Sequence, residues 1–421
     1  MIANFGALNV REPFFRLTTL VARLVALLLL SLSVATSGWA QLPCVNGSLP
    51  TGDPNHSQQL IQICIPPISW NGQLVIYLHG FVEPQAALAL PTQELEAFGG
   101  NATIAALLQS GFAFATTSFR KNGYVVEQGA QDVSQLLTYF KTLVAPGSLH
   151  KTYLVGGSEG GLIATLLVEQ HAQTYDGALS LCAPLGGAAF QTKYLGDFRV
   201  VFDYFFPSVF RDEFKAFEVP PISPETWSLS YVPQVATALQ LNPSAANQLF
   251  KVTRVALNPA NVPGSAGEAA LSLLRYSILE TPDLKATAGG TPFDNRLALY
   301  LGSNNDFALN RGVERVTSDP QARAYLRHFY QPTGRLQRPL VSLHTTLDPL
   351  VPFSHELIYL GLATLSGHRS NLTILPTASY GHCNFQPAEV LGAFGVLVSQ
   401  TNGQLSTNLS SLAASAPKAM Q

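Results

Sequence analysis

The chain has 421 residues, enough to bury a large core in one domain or two. Only 12% of them are charged, the net charge is −2, and the longest basic run is Arg120-Lys121. That balance excludes an intrinsically disordered chain and a nucleic-acid-binding surface, so no nucleic-acid partner is expected.

Taken from the N-terminus, residues 1–40 read as an export signal. Arg11, Arg16 and Arg23 precede the apolar run Val25–Leu32, which is short for a bilayer span. Gly38-Trp39-Ala40 then supplies small residues for cleavage before Gln41. An uncleaved membrane anchor is the rival reading. Cleavage would remove three Arg and one Glu and take the formal charge from −2 to −4. The expected compartment is secreted or periplasmic, with no membrane span left in the mature chain. Four cysteines agree with an oxidising compartment. Cys44 with Cys64 is the favoured pair, because it closes a short loop, and Cys182 with Cys383 would then join two distant loops. The alternative leaves Cys182 a buried thiol in an apolar strand. None of the four has metal-site spacing, and neither metal nor cofactor is expected.

From about residue 60, apolar strand-like runs alternate with amphipathic helical stretches, the rhythm of a mostly parallel α/β sheet. Strands are expected at 62–65, 74–78, 113–118, 152–155, 178–182, 340–344 and 372–375. Helices are expected at 102–109, 132–143, 162–173, 354–365 and 387–398. The rhythm breaks between Gly186 and Arg338, where prolines punctuate helical segments such as 265–279 and 321–330. A stretch this long is not a structureless loop, and residues 187–338 read as a helical cap or lid inserted into a core of 41–186 and 339–403. The cap opens on an aromatic-rich run; Phe202 and Phe206 belong either to its own core or to an acyl pocket. Residues 404–421, rich in Ser, Ala and Thr, read as a flexible tail.

The chemistry centres on Gly156-Gly157-Ser158-Glu159-Gly160, where an apolar strand meets an apolar helix. This is the G-x-S-x-G elbow in its strand–turn–helix setting. Gly156 and Gly160 lack the Cβ atoms that would collide as strand and helix converge. A serine hydroxyl needs a base, and the base an orienting acid. Asp348 follows the strand at 340–344, and His382 lies before the last helix, so Ser158, Asp348 and His382 run in the order Ser…Asp…His. Among the rivals, Asp306 lies in the insertion and His344 inside a strand, where a satisfied core histidine is expected. His355 and His368 flank a helix, where surface roles are expected. The oxyanion needs two donors, each contributing about 3–4 kcal/mol to transition-state stabilisation. They are expected from the N–H groups of Glu159 and Phe81, with Gly80 letting the loop turn inward and His79 bracing it. The Glu159 side chain is expected to hydrogen-bond locally; the alternative has it face the pocket and disfavour anionic substrates.

These residues together resemble the α/β-hydrolase superfamily over about residues 60–186 and 338–400. His79-Gly80-Phe81 is similar to its short oxyanion loop, and Gly156–Gly161 to the elbow of secreted esterases and prolyl-oligopeptidase-like hydrolases. The resemblance implies an α/β-hydrolase fold with a mostly parallel central sheet flanked by helices. It also implies a serine hydrolase of small-molecule or polymeric carboxylic esters. A peptidase of prolyl-oligopeptidase type and a non-catalytic binding protein on the same scaffold are the alternatives. Acyl specificity and oligomeric state are left open.

Overall fold

The computed structural model describes residues 42–403; the export signal and the C-terminal tail expected above lie outside them. Eight strands form one sheet: β1 (Cys44–Pro50), β2 (Gln58–Cys64), β3 (Gln73–Leu78), β4 (Ala113–Thr117), β5 (Lys151–Gly157), β6 (Gly177–Leu181), β7 (Leu340–Leu347) and β8 (Leu372–Tyr380). Their order is β1-β2-β4-β3-β5-β6-β7-β8, antiparallel through β2 and parallel from β4 to β8. This swapped, mostly parallel order is the α/β-hydrolase fold. Strands β4 and β6 are buried throughout, as parallel strands covered on both faces must be.

Three sheet features depart from the expected elements. Strand β1 was not foreseen, because CVNGSLP is exposed at all but a few positions and shows no apolar alternation. It pairs with β2 along its length, with Cys44 opposite Cys64 and a disulfide between them. The pairing also extends β2 back to Gln58. Strand β8 continues through Pro376 to Tyr380, because an edge strand tolerates a residue without an N–H.

Around the sheet lie helices α1 (Thr92–Ala97), α2 (Gly100–Gln109), α3 (Val126–Tyr139) and α4 (Glu159–Gln170). Between β6 and β7 the chain builds a separate helical layer. It comprises α5 (Ala188–Phe205), α6 (Val232–Leu241), α7 (Pro243–Thr253), α8 (Val262–Leu279), α9 (Thr281–Ala288), α10 (Asp306–Gly312) and α11 (Pro320–Phe329). Helices α12 (Ser354–Leu365) and α13 (Pro387–Thr401) complete the core. Asn242, Asn261 and Asn305 accept hydrogen bonds from the first turns of α7, α8 and α10, and Pro243 and Pro263 sit where a missing N–H costs nothing. The inserted layer has its own core, in which Phe198, Phe202, Phe210, Trp227 and Leu273 pack together. Phe202 and Phe206 belong to that core and line neither space beside Ser158. Among the described residues no helix is long and apolar enough to cross a membrane.

Candidate active site

Adjacent parallel strands β3, β5, β6, β7 and β8 all end at one edge of the sheet, and the expected site residues follow those ends. Ser158 joins β5 to α4 with φ 50° and ψ −117°, a conformation rare for a residue with a side chain. Its N–H donates to the Leu181 carbonyl at the end of β6. Both elbow glycines are required sterically. A Cβ on Gly156 would fall 2.2 Å from the Gly160 carbonyl oxygen, and one on Gly160 would fall 2.1 Å from that of Leu78.

Three side chains distant in sequence form a hydrogen-bonded chain. His382 Nε2 lies 3.0 Å from Ser158 Oγ, and His382 Nδ1 lies 2.7 Å from Asp348 Oδ2. Asp348 is buried, and its other oxygen accepts from the N–H groups of Leu350 and Val351 at 2.8 and 2.9 Å. Burial alone would raise its pKa; His382 and His344 beside it outweigh that and hold it below the usual carboxylate range. A geometry of this kind lets an imidazole accept a serine proton while a fixed carboxylate orients the ring. Asp306, the weighed rival, instead accepts from Gly302, Ser303 and the Ser303 hydroxyl at the start of α10.

The remaining histidines sort by their partners. His344 is a buried, satisfied histidine of β7 as expected, but it is more than inert core. Nε2 faces the Val351 carbonyl and Nδ1 faces Glu356, each at 2.8 Å, and Asp348 Oδ2 lies 3.6 Å from Nε2. Burial works against its charge, yet the two carboxylates prevail and push its pKa up to about 10. A buried imidazolium therefore backs Asp348. His355 corrects the expected surface role: it is fully buried, because α5 of the insertion packs over the start of α12. Its Nδ1 accepts from Gly186 N–H and its Nε2–H donates to Gln191. His368 is half-buried beside Ser366. His79 donates from Nδ1 to the Gly80 carbonyl at 2.7 Å and stacks on Phe119, which braces the loop as expected.

Glu94 of α1 is a candidate-site residue that the sequence did not reveal. Its carboxylate accepts the Gly80 N–H at 2.9 and 3.0 Å and the Tyr77 hydroxyl at 2.7 Å. With the Gly80 N–H engaged by Glu94, the next amide of the loop, Phe81, has no hydrogen-bond partner among the described residues. The loop itself presses on the nucleophile, since a Cβ on Gly80 would sit 3.2 Å from Ser158 Cβ. No local signal marks Glu94, because its partners lie 14 and 17 residues away. The Glu159 carboxyl corrects the expected local hydrogen bond: it lines the space beside Ser158, and one oxygen accepts from the N–H of Val125, 34 residues away, at 3.1 Å.

Cys182 and Cys383 form a disulfide, so the buried-thiol alternative does not apply. It ties the loop after β6 to the residue following His382. The sulfurs and the His382 ring lie close together, but the sulfurs are bonded to one another and both ring nitrogens are engaged, which leaves no free metal-ligand set there.

Ser158 opens onto two spaces. One is an open cleft of about 710 Å³ lined by Gly80, Glu94, Arg275, Tyr276 and His382. The other is a cavity of about 50 Å³ lined by Phe81, Tyr124, Glu159, Tyr276, Glu280 and Tyr330.

No protein-family model and no curated protein matches the chain. Several solved structures align with it at low identity. An esterase of Pyrococcus furiosus is 13% identical, with 85% of this chain and 91% of that one covered and a TM-score of 0.44. Est1E from Butyrivibrio proteoclasticus is 11% identical, covering 85% of this chain and 99% of that one, at a TM-score of 0.40. Pyrococcus horikoshii acylaminoacyl peptidase is 9% identical at a TM-score of 0.43; 86% of this chain aligns with 42% of that longer one. The fold assignment rests on strand order and direction, not on these alignments.

Proposed function

We propose that this protein is an exported serine hydrolase that cleaves carboxylic esters through an acyl-enzyme intermediate. The observation that carries this reading is the hydrogen-bonded chain from Ser158 through His382 to Asp348 at the strand ends. His382 takes the Ser158 proton as Oγ bonds to the ester carbonyl carbon. The oxyanion is held by the N–H groups of Phe81 and Glu159, and collapse breaks the bond to the alcohol, which leaves with the proton from His382. Water, deprotonated by the same imidazole, then releases the acid and restores Ser158. Asp348 keeps the ring oriented and stabilises its charged form, and no cofactor enters any step. Export is supported by the N-terminal segment and by two disulfides, which persist in oxidising compartments.

The test is a chain-length series of p-nitrophenyl esters beside proline-containing anilides, with fluorophosphonate labelling of Ser158. Ester turnover should fall by about 10³-fold or more in Ser158→Ala, with labelling abolished. Turnover of anilides but not esters would replace the ester reading with the peptidase one. An unlabelled wild-type serine without turnover would leave only a binding role.

A further inference from the structure

The small cavity beside Ser158 carries two acids and no cation in its lining. Glu159 and Glu280 are 8% and 6% exposed. One Glu159 oxygen is taken by Val125 N–H; the other, Oε2, is buried without a partner. Among the described residues nothing hydrogen-bonds the Glu280 carboxyl. Nearby charges are already engaged: Arg275 pairs with Glu83, Lys121 reaches the Thr287 hydroxyl, and Asp283 accepts from Tyr124 N–H.

A buried, unpaired carboxylate is costly, so burial favours the protonated form of both acids. Burial, with Asp283 adding repulsion, pushes Glu159 up to about 8. Burial, then Glu159 and Asp283, lifts Glu280 well above the carboxylate range. A cation entering the cavity would reverse that balance and give both groups a partner. The walls suit one as well, since Phe81, Tyr124, Tyr276 and Tyr330 supply the aromatic rings that attract ammonium groups.

Position decides which half of the substrate enters. His382 must deliver a proton to the departing oxygen, and His382 lines the open cleft and not the cavity. The leaving group therefore occupies the cleft and the acyl group the cavity. Size limits that acyl group: about 50 Å³ compares with roughly 10–15 Å³ needed by one water.

Resting on the acyl-transfer reading above, we infer that the cavity receives a short acyl group ending in a protonated amine. The preferred substrates are then esters of small amino acids. Two pairs of p-nitrophenyl esters test this, glycyl against propanoyl and β-alanyl against butanoyl. Each pair exchanges an ammonium for a methyl group. After correction for uncatalysed hydrolysis, kcat/KM should favour the cationic member by about tenfold or more. In Glu159→Gln and Glu280→Gln that ratio should fall to about one. Should either variant fail to fold, propylammonium should still inhibit the wild-type enzyme competitively at concentrations where 1-butanol does not. Equal or faster turnover of the neutral esters overturns the inference and leaves the hydrolase reading intact. If neither class is turned over and Ser158 resists fluorophosphonate, both readings fall together.

Discussion

At Glu94 a single carboxylate does what no nearby residue could. It receives the Gly80 N–H and the Tyr77 hydroxyl, and so holds the loop that leads into Phe81 beside Ser158. Replacing it with Ala removes that restraint without touching a reacting atom. Turnover should fall by about tenfold to a hundredfold with KM little changed, less than the loss of an oxyanion donor itself. Glu94→Gln, which keeps one acceptor, should recover part of it. His344 makes a second prediction with a defined sign. Its pKa is raised from 6.5 to about 10 in the folded protein, so its contribution to stability is complete below about pH 6.5 and is lost as pH climbs through 10. Thermal unfolding followed from pH 6 to 10 should show that decline in wild type and a shallower one in His344→Gln.

The inserted helices matter through what their first element holds. Helix α5 grips the loop after Asp348, with the Gln191 amide donating to the Leu350 carbonyl at 2.9 Å and Tyr194 to that of Pro349 at 2.7 Å. Leu350 and Val351 are in turn part of the insertion's core. This layer is thus a clamp on the acid as well as a roof. Inside it Arg199 pairs with Asp203 at 2.9 Å, fully buried, with its guanidinium 4.5 Å from the Phe210 ring centre. Arg199→Met alone would strand a buried carboxylate and should cost about 3–5 kcal/mol of unfolding free energy, read from a denaturant titration. The double replacement Arg199→Met with Asp203→Leu should recover most of that, because two apolar groups need no partner.

Over the whole molecule, the Cys182–Cys383 bond closes a loop of 201 residues that contains the entire insertion and ends beside His382. Replacing both cysteines with Ala should lower stability by about 2–4 kcal/mol. It should also reduce turnover more than it changes the far-UV spectrum, because the histidine loop loses its anchor. What could be read along the chain was whatever local pattern encodes: apolar runs of strand length, the glycines on either side of Ser158, and acid and histidine just beyond strand ends. Those motifs were enough for fold class and for Ser158, Asp348 and His382 as partners, whereas the pairing of Cys182 with Cys383 stayed open until the fold brought the two loops together. Strand β1 escaped because an exposed edge carries no alternation, and His355 because its burial depends on a helix more than 150 residues earlier. Glu94, Glu280 and the charge on His344 escaped for the same reason. The amino-acid order determines which groups can fold into strands and turns, since those choices are made among near neighbours. Only the folded chain decides which carboxyls face a cation, an amide or nothing, since burial and pairing are set by residues far apart in sequence.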